Sequence, residues 1–169
     1  MSWCARRLFG AALLLAAVGV HAASRPTEVA LTDLSGRAVP LVSSARSRGS
    51  IFVFIRTDCP ISDRYVPELE RQQQRAAAAD VEFALVFVDP AEPSDAILGH
   101  IRTFHYTGRV LRDDRHTLVR LAGVVTTPEA AALAHEPGGP RLVYRGRIDN
   151  RYVDFGRMPP WRVASCSVT

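Results

Sequence analysis

The chain has 169 residues, of which 47% are hydrophobic and 22% charged, with a formal net charge of +4. That balance fits one globular domain and excludes a disordered tail protein, a collagen-like chain and a polytopic membrane protein. Arg6 and Arg7 supply half the surplus, so the rest of the chain carries only +2, too little to argue for nucleic acid. All strongly basic residues are arginine, which excludes a lysine Schiff base and a P-loop lysine.

Arg6 and Arg7 precede an apolar run, Leu8 to Val20, and then Val20-His21-Ala22. A basic start, a short apolar stretch and an Ala-x-Ala-like exit predict a secretory signal over residues 1–23. The run is too short for a membrane-spanning helix, which needs about 20 apolar residues. The expected location is therefore export, to a bacterial periplasm. The only membrane attachment in view is an uncleaved signal.

The next segments, Glu28–Leu31 and Ala38–Val42, flank turn chemistry at Asp33-Leu34-Ser35-Gly36-Arg37 and predict an N-terminal hairpin. Ile51–Ile55 is continuously apolar, as a strand buried on both faces requires. A helix is predicted from Ile61 to about Ala79, with Pro67 expected to kink it or to confine its regular part to the turns beyond the proline. Val81–Val88 reads as a second buried strand. Pro93-Ser94 opens a helix carrying Ile97, Ile101 and Phe104. A short strand at Val110-Leu111 and a short helix around Leu118 come next. Two last strands, near 130–134 and 142–144, are expected to turn at Gly138-Gly139-Pro140. Buried β–α–β units followed by an antiparallel pair predict a mixed central sheet flanked by helices.

In such sheets chemistry gathers where a strand's carboxyl end meets the next helix. That junction is Arg56-Thr57-Asp58-Cys59-Pro60. Pro60 suits the first helical position. The helix start and Arg56 are expected to favour thiolate over thiol at Cys59, and the thiolate is the nucleophile. The bland alternative is a buried cysteine serving as a small hydrophobe. Cys166 is the other cysteine beyond the signal, and both a Cys59–Cys166 bridge and two free thiols fit the sequence. With no C-x-x-C, the usual structural zinc site is excluded.

Phe54-Ile55-Arg56-Thr57-Asp58-Cys59-Pro60-Ile61-Ser62, Thr127-Pro128 and Tyr144–Tyr152 resemble the thioredoxin-like superfamily. Within it the chain is similar to exported redoxin-domain proteins of the alkyl-hydroperoxide-reductase/thiol-specific-antioxidant type. The resemblance implies a thioredoxin-like α/β domain over residues 24–157. An irregular tail, 158–169, would come after it, with the family's last helix short or missing. It implies Cys59 as the attacking thiol and Thr127-Pro128 as the substrate side, where the fold places a cis-proline. The chain departs from thioredoxins at Ser62, where they carry a second cysteine. It departs from peroxidatic relatives at Arg56, where they carry threonine. Ser62 is expected to hydrogen-bond the thiolate or to cap the helix. Cys166 or an external thiol would then resolve the adduct.

The expected activity is thiol–disulfide exchange, or peroxide reduction with outside thiols. The partners would be protein or small-molecule thiols and disulfides. No cofactor and no metal are expected. His100, His105, His116 and His135 form no ligand motif, and His135 is expected to point to solvent. The rival readings are a non-catalytic binding module and a copper-handling protein.

Overall fold

The computed structural model describes residues 29–149. The expected signal peptide 1–23, the ends of the predicted domain 24–157, the tail 158–169, the stretch where the family's last helix is expected to be short or missing, and Cys166 lie outside the described residues.

Ten elements succeed one another: β1 (Leu31–Thr32), β2 (Ala38–Val39), β3 (Gly49–Ile55), α1 (Pro60–Ala78), β4 (Val81–Phe87), α2 (Ser94–Thr103), β5 (Arg109–Arg112), α3 (Thr117–Ala122), β6 (Glu129–Glu136) and β7 (Gly139–Gly146). The strands form one sheet in the order β2-β1-β5-β4-β3-β6-β7. Strands β3, β4 and β5 are parallel, and β6 runs antiparallel to β3, with β7 antiparallel to β6. The N-terminal hairpin β1–β2 joins the other flank through Thr32 opposite Arg112.

The apolar run of β3 is continuous because both of its faces are covered. Phe52 and Phe54 pack with Val86, Leu118 and Leu133. Val53 and Ile55, alternating with them, pack with Val66, Leu69, Phe87 and Ile97 on the α1 side. Burying each such side chain contributes about 1.5–3 kcal/mol, so β3 anchors the loop after it. Among the described residues, an apolar groove of about 630 Å³ lies between α1 and β6–β7, bordered by Leu69, Ala76, Val143 and Ile148. The chain leaves the described region at its rim, after Asp149.

Three local expectations are corrected. Helix α1 is regular from Pro60 onward, rather than only after Pro67. Pro67 lies on the exposed face, where a carbonyl left without its amide can turn to water. The last turn comprises Pro137 and Gly138, because Glu136 already pairs with Gly139. Gly139, with φ of 112°, is the position that needs glycine. His135 does not point freely to solvent. Register sets it near β3, so Nε2 is 2.8 Å from Ser50 Oγ and Nδ1 is 2.8 Å from the Ser47 carbonyl oxygen.

Candidate active site around Cys59

Strands β3, β4 and β5 all end at the same edge of the sheet. The loops after them gather there, and Glu129 opposite Phe54 brings the start of β6 to the same place. Cys59 is the residue that caps α1, in extended backbone (φ −101°, ψ 103°), with Pro60 as the first helical residue. It is half-buried and, among the described residues, has no disulfide partner. Its thiol donates to the Thr127 carbonyl oxygen at 3.8 Å. The Thr127–Pro128 peptide bond is cis. The structure thus brings Cys59, Thr127 and Pro128 together across 68 residues of sequence.

Among the described residues no side chain caps α1. The first-turn amides of a helix lack intrahelical partners and carry partial positive charge. Here the residue at the cap position is a cysteine rather than a carboxylate. Ser62 corrects the expectation of a cap: it is the third residue of the helix, and Cys59 occupies the cap position. Ser62 is 0% exposed. Its Oγ has no hydrogen-bond partner among the described residues.

Arg56 is engaged by carboxylates. Its Nε and Nη2 donate to the two Asp58 oxygens at 2.9 Å each. Nη2 also lies 2.8 Å from Asp89 Oδ2. The bond to Asp58 holds the guanidinium even more firmly protonated than usual, and the Arg56 fork keeps the Asp58 carboxyl below the ordinary range. The positive charge is thereby shared between two loops, those after β3 and β4.

Sequence reasoning missed two carboxylates that brace the loops of the site, Glu92 and Glu129, and two interior contacts, those of Tyr65 and His100. Glu92, in the loop after β4, accepts from the Thr57 amide at 2.7 Å and from the Thr57 hydroxyl at 2.6 Å. Its place at the end of the neighbouring parallel strand was the available signal. Glu129 braces the loop before it, accepting from the Val125 amide at 2.9 Å. The Tyr65 hydroxyl donates to Asp149 at 2.5 Å in the interior, linking α1 to the chain after β7. His100 sits between the rings of Phe87 and Phe104, with Nδ1 3.7 Å from Asp63 Oδ1. Among the described residues no group of three His, Cys, Asp or Glu side chains is arranged to hold a metal ion. Nor is any helix among them long and apolar enough to cross a membrane.

No family model matches the chain, and no curated protein sequence matches it. Solved structures do. One is a hypothetical protein from Sinorhizobium meliloti, with 20% identity and a TM-score of 0.63 over 76% of this chain and 71% of that one. Another is a secreted Mycobacterium tuberculosis disulfide oxidoreductase homologous to E. coli DsbE, with 16% identity and a TM-score of 0.52 over 72% and 86%. A third is an uncharacterized thioredoxin-like protein from Porphyromonas gingivalis, with 19% identity and a TM-score of 0.54 over 70% and 78%. The chain has a thioredoxin-like fold: a mixed sheet flanked by helices, extended by an N-terminal hairpin.

Proposed function

We propose that the protein is an exported redoxin that exchanges thiols and disulfides through a single thiol, Cys59. The observation that carries this reading is the placement of Cys59 Sγ at an uncapped helix start, 3.8 Å from the Thr127 carbonyl oxygen. Neighbours in fold that are described as disulfide oxidoreductases support it. So does the signal-like sequence of residues 1–23.

The exchange has two balanced steps. Cys59 thiolate attacks one sulfur of a substrate disulfide. The substrate S–S bond breaks, its other sulfur leaves as a thiolate and takes up a proton, and a Cys59–substrate mixed disulfide forms. An external thiol then loses its proton and attacks the substrate sulfur, which frees Cys59 as thiolate and leaves the incoming sulfur bonded to the substrate in a new disulfide; alternatively Cys166 loses its proton and attacks the Cys59 sulfur, which releases the substrate as a second thiolate and leaves a Cys59–Cys166 disulfide for two external thiols to reduce. In the first course disulfides are exchanged; in the second the substrate disulfide is reduced and the two external thiols are oxidised. Ser62 cannot perform the second step. Its role is to donate its hydroxyl toward sulfur, while Arg56 orders the loop through Asp58 and Asp89. Thr127 and Pro128 form the substrate side, and Val125, 83% exposed, offers a peptide an apolar contact. Peroxide is the alternative oxidant. Cys59 would then become a sulfenic acid with release of an alcohol or water, and two thiols would return it to thiolate.

The test is incubation with oxidised glutathione, followed by intact-mass measurement and peptide mapping. A glutathione adduct on Cys59 that reduced glutathione removes is expected, with none at this position in Cys59→Ser. Adducts only at Cys4 or Cys166 would overturn the reading.

A further inference from the structure

We infer that Glu92 is a positioning residue for Cys59, holding the turn that presents the sulfur. Thr57 lies two residues before Cys59, and both of its donors go to a single Glu92 oxygen, Oε1, at 2.7 and 2.6 Å. Glu92 is itself fixed from behind. Its carbonyl oxygen accepts from Arg112 Nη1 at 2.7 Å, and Arg112, only 8% exposed, is held in turn by Asp114 at 2.9 Å. The ends of β3, β4 and β5 are thus tied in series, Thr57 to Glu92 to Arg112 to Asp114. Besides the Cys59–Thr127 contact itself, the remaining side-chain ties of the turn among the described residues are the Arg56 pairs with Asp58 and Asp89. The Arg56 and Asp58 side chains are 41% and 66% exposed, and exposed ion pairs constrain a loop less than interior hydrogen bonds do. The interior tie therefore governs where Cys59 stands relative to Thr127.

Glu92 has more capacity than this tie uses. Its Oε2 is buried and has no partner among the described residues. A carboxyl group that spends one oxygen on two donors of one residue is replaceable by an amide, whose carbonyl oxygen accepts the same pair. The conservative variant therefore separates the hydrogen bonds from the carboxylate.

The inference rests on Cys59 being the exchanging thiol, and the experiment separates the two. Full-length protein is mixed with graded oxidised glutathione, and adduct formation on Cys59 is followed by mass for wild type, Glu92→Ala, Glu92→Gln, Thr57→Val and the Glu92→Ala/Thr57→Val pair. Misplacing a reacting group by about an ångström costs up to about a hundredfold. Glu92→Ala is expected to lower the saturating rate by about tenfold on that scale, with the half-saturating concentration nearly unchanged. Glu92→Gln should restore the rate to within about threefold of wild type. The double variant should be no slower than Glu92→Ala, because both changes remove one interaction. If Glu92→Ala does not fold, Thr57→Val carries the test, with a loss of about threefold in saturating rate. Wild-type rates in Glu92→Ala, or a Glu92→Gln as slow as Glu92→Ala, overturn the positioning role and leave the exchange reading standing. A wild-type protein inert at Cys59 removes both.

Discussion

Three helices begin at the same edge of the sheet, each after a parallel strand, and the starts of α1 and α3 are built in opposite ways. At α3 the Asp113 carboxylate is fully buried and accepts from the Thr117 amide at 2.7 Å, the Thr117 hydroxyl at 3.0 Å and the Val119 amide at 2.8 Å. The open amides of that helix are closed off by a side chain. At α1 the cap residue is Cys59, and no side chain closes the turn. One start is closed by a buried carboxylate. The other has no side-chain cap among the described residues and is held from outside by Glu92 and by the Arg56 pairs. On the proposed exchange reading, the contrast separates what the edge needs to fold from what it would need to react.

The largest expected effect comes from breaking the closed start. Asp113→Ala leaves two amides and a hydroxyl in the interior without their acceptor, at about 1–3 kcal/mol for each unmet group before relaxation. A net loss of about 3 kcal/mol is expected, measured by urea denaturation. Asp113→Asn, which keeps one acceptor oxygen, should lose about half as much. In both variants the folded fraction should form the Cys59 adduct at the wild-type rate. A slowed adduct would mean that the two starts are coupled.

The contrast was only partly legible in the sequence. Ile51–Ile55 announces a doubly buried strand because its apolar residues do not alternate, and Pro60 marks the helix start because it needs no amide partner there. Those two features locate Cys59. Asp113, Glu92 and Glu129 read as ordinary loop acids, since nothing local distinguishes a carboxylate that accepts buried amides from one in water. Glu92 meets Thr57 across 35 residues, and His135 meets Ser50 across 85. Both contacts depend on strand order and register, which periodicity does not encode. The two-residue strands β1 and β2 are shorter than their apolar patterns suggest because only Leu31–Thr32 and Ala38–Val39 pair.

A smaller effect concerns the opposite edge, where Glu82 does for a loop what Asp113 does for a helix. It accepts from the Ser43 amide at 2.9 Å, the Ser44 amide at 2.7 Å and Arg109 at 3.0 Å. Burial alone would push its carboxyl up, but the serine amides, with help from Arg109, outweigh this and set it below the usual 4.5. A carboxyl lowered on folding adds stability in full above its unfolded value, and that stability is lost as pH falls through the lowered folded value. Glu82→Gln should therefore cost about 1 kcal/mol at pH 7, allowing for solvent screening. The gap to wild type should close as pH drops below 4.5. Denaturation curves at about pH 7, 4.5 and 3 check this. A gap that persists at the lowest pH would show that the amide oxygen fails for geometric reasons, not for want of charge.

The smallest expected effect is also the one that bears most closely on the start of α1. Ser62 is buried in the first turn of α1 with its hydroxyl unpaired among the described residues. A hydroxyl kept only for packing would make Ser62→Ala neutral or slightly stabilising, since an unpaired buried polar group costs free energy that a methyl does not. Ser62→Ala is accordingly expected to be as stable as wild type or up to about 1 kcal/mol more so. If the hydroxyl turns to sulfur when charge develops there, the same variant should form the Cys59 adduct about threefold more slowly, the worth of one modest hydrogen bond. Stability and rate then move in opposite directions. An unchanged rate with unchanged or raised stability would return Ser62 to the core and remove it from the proposed exchange.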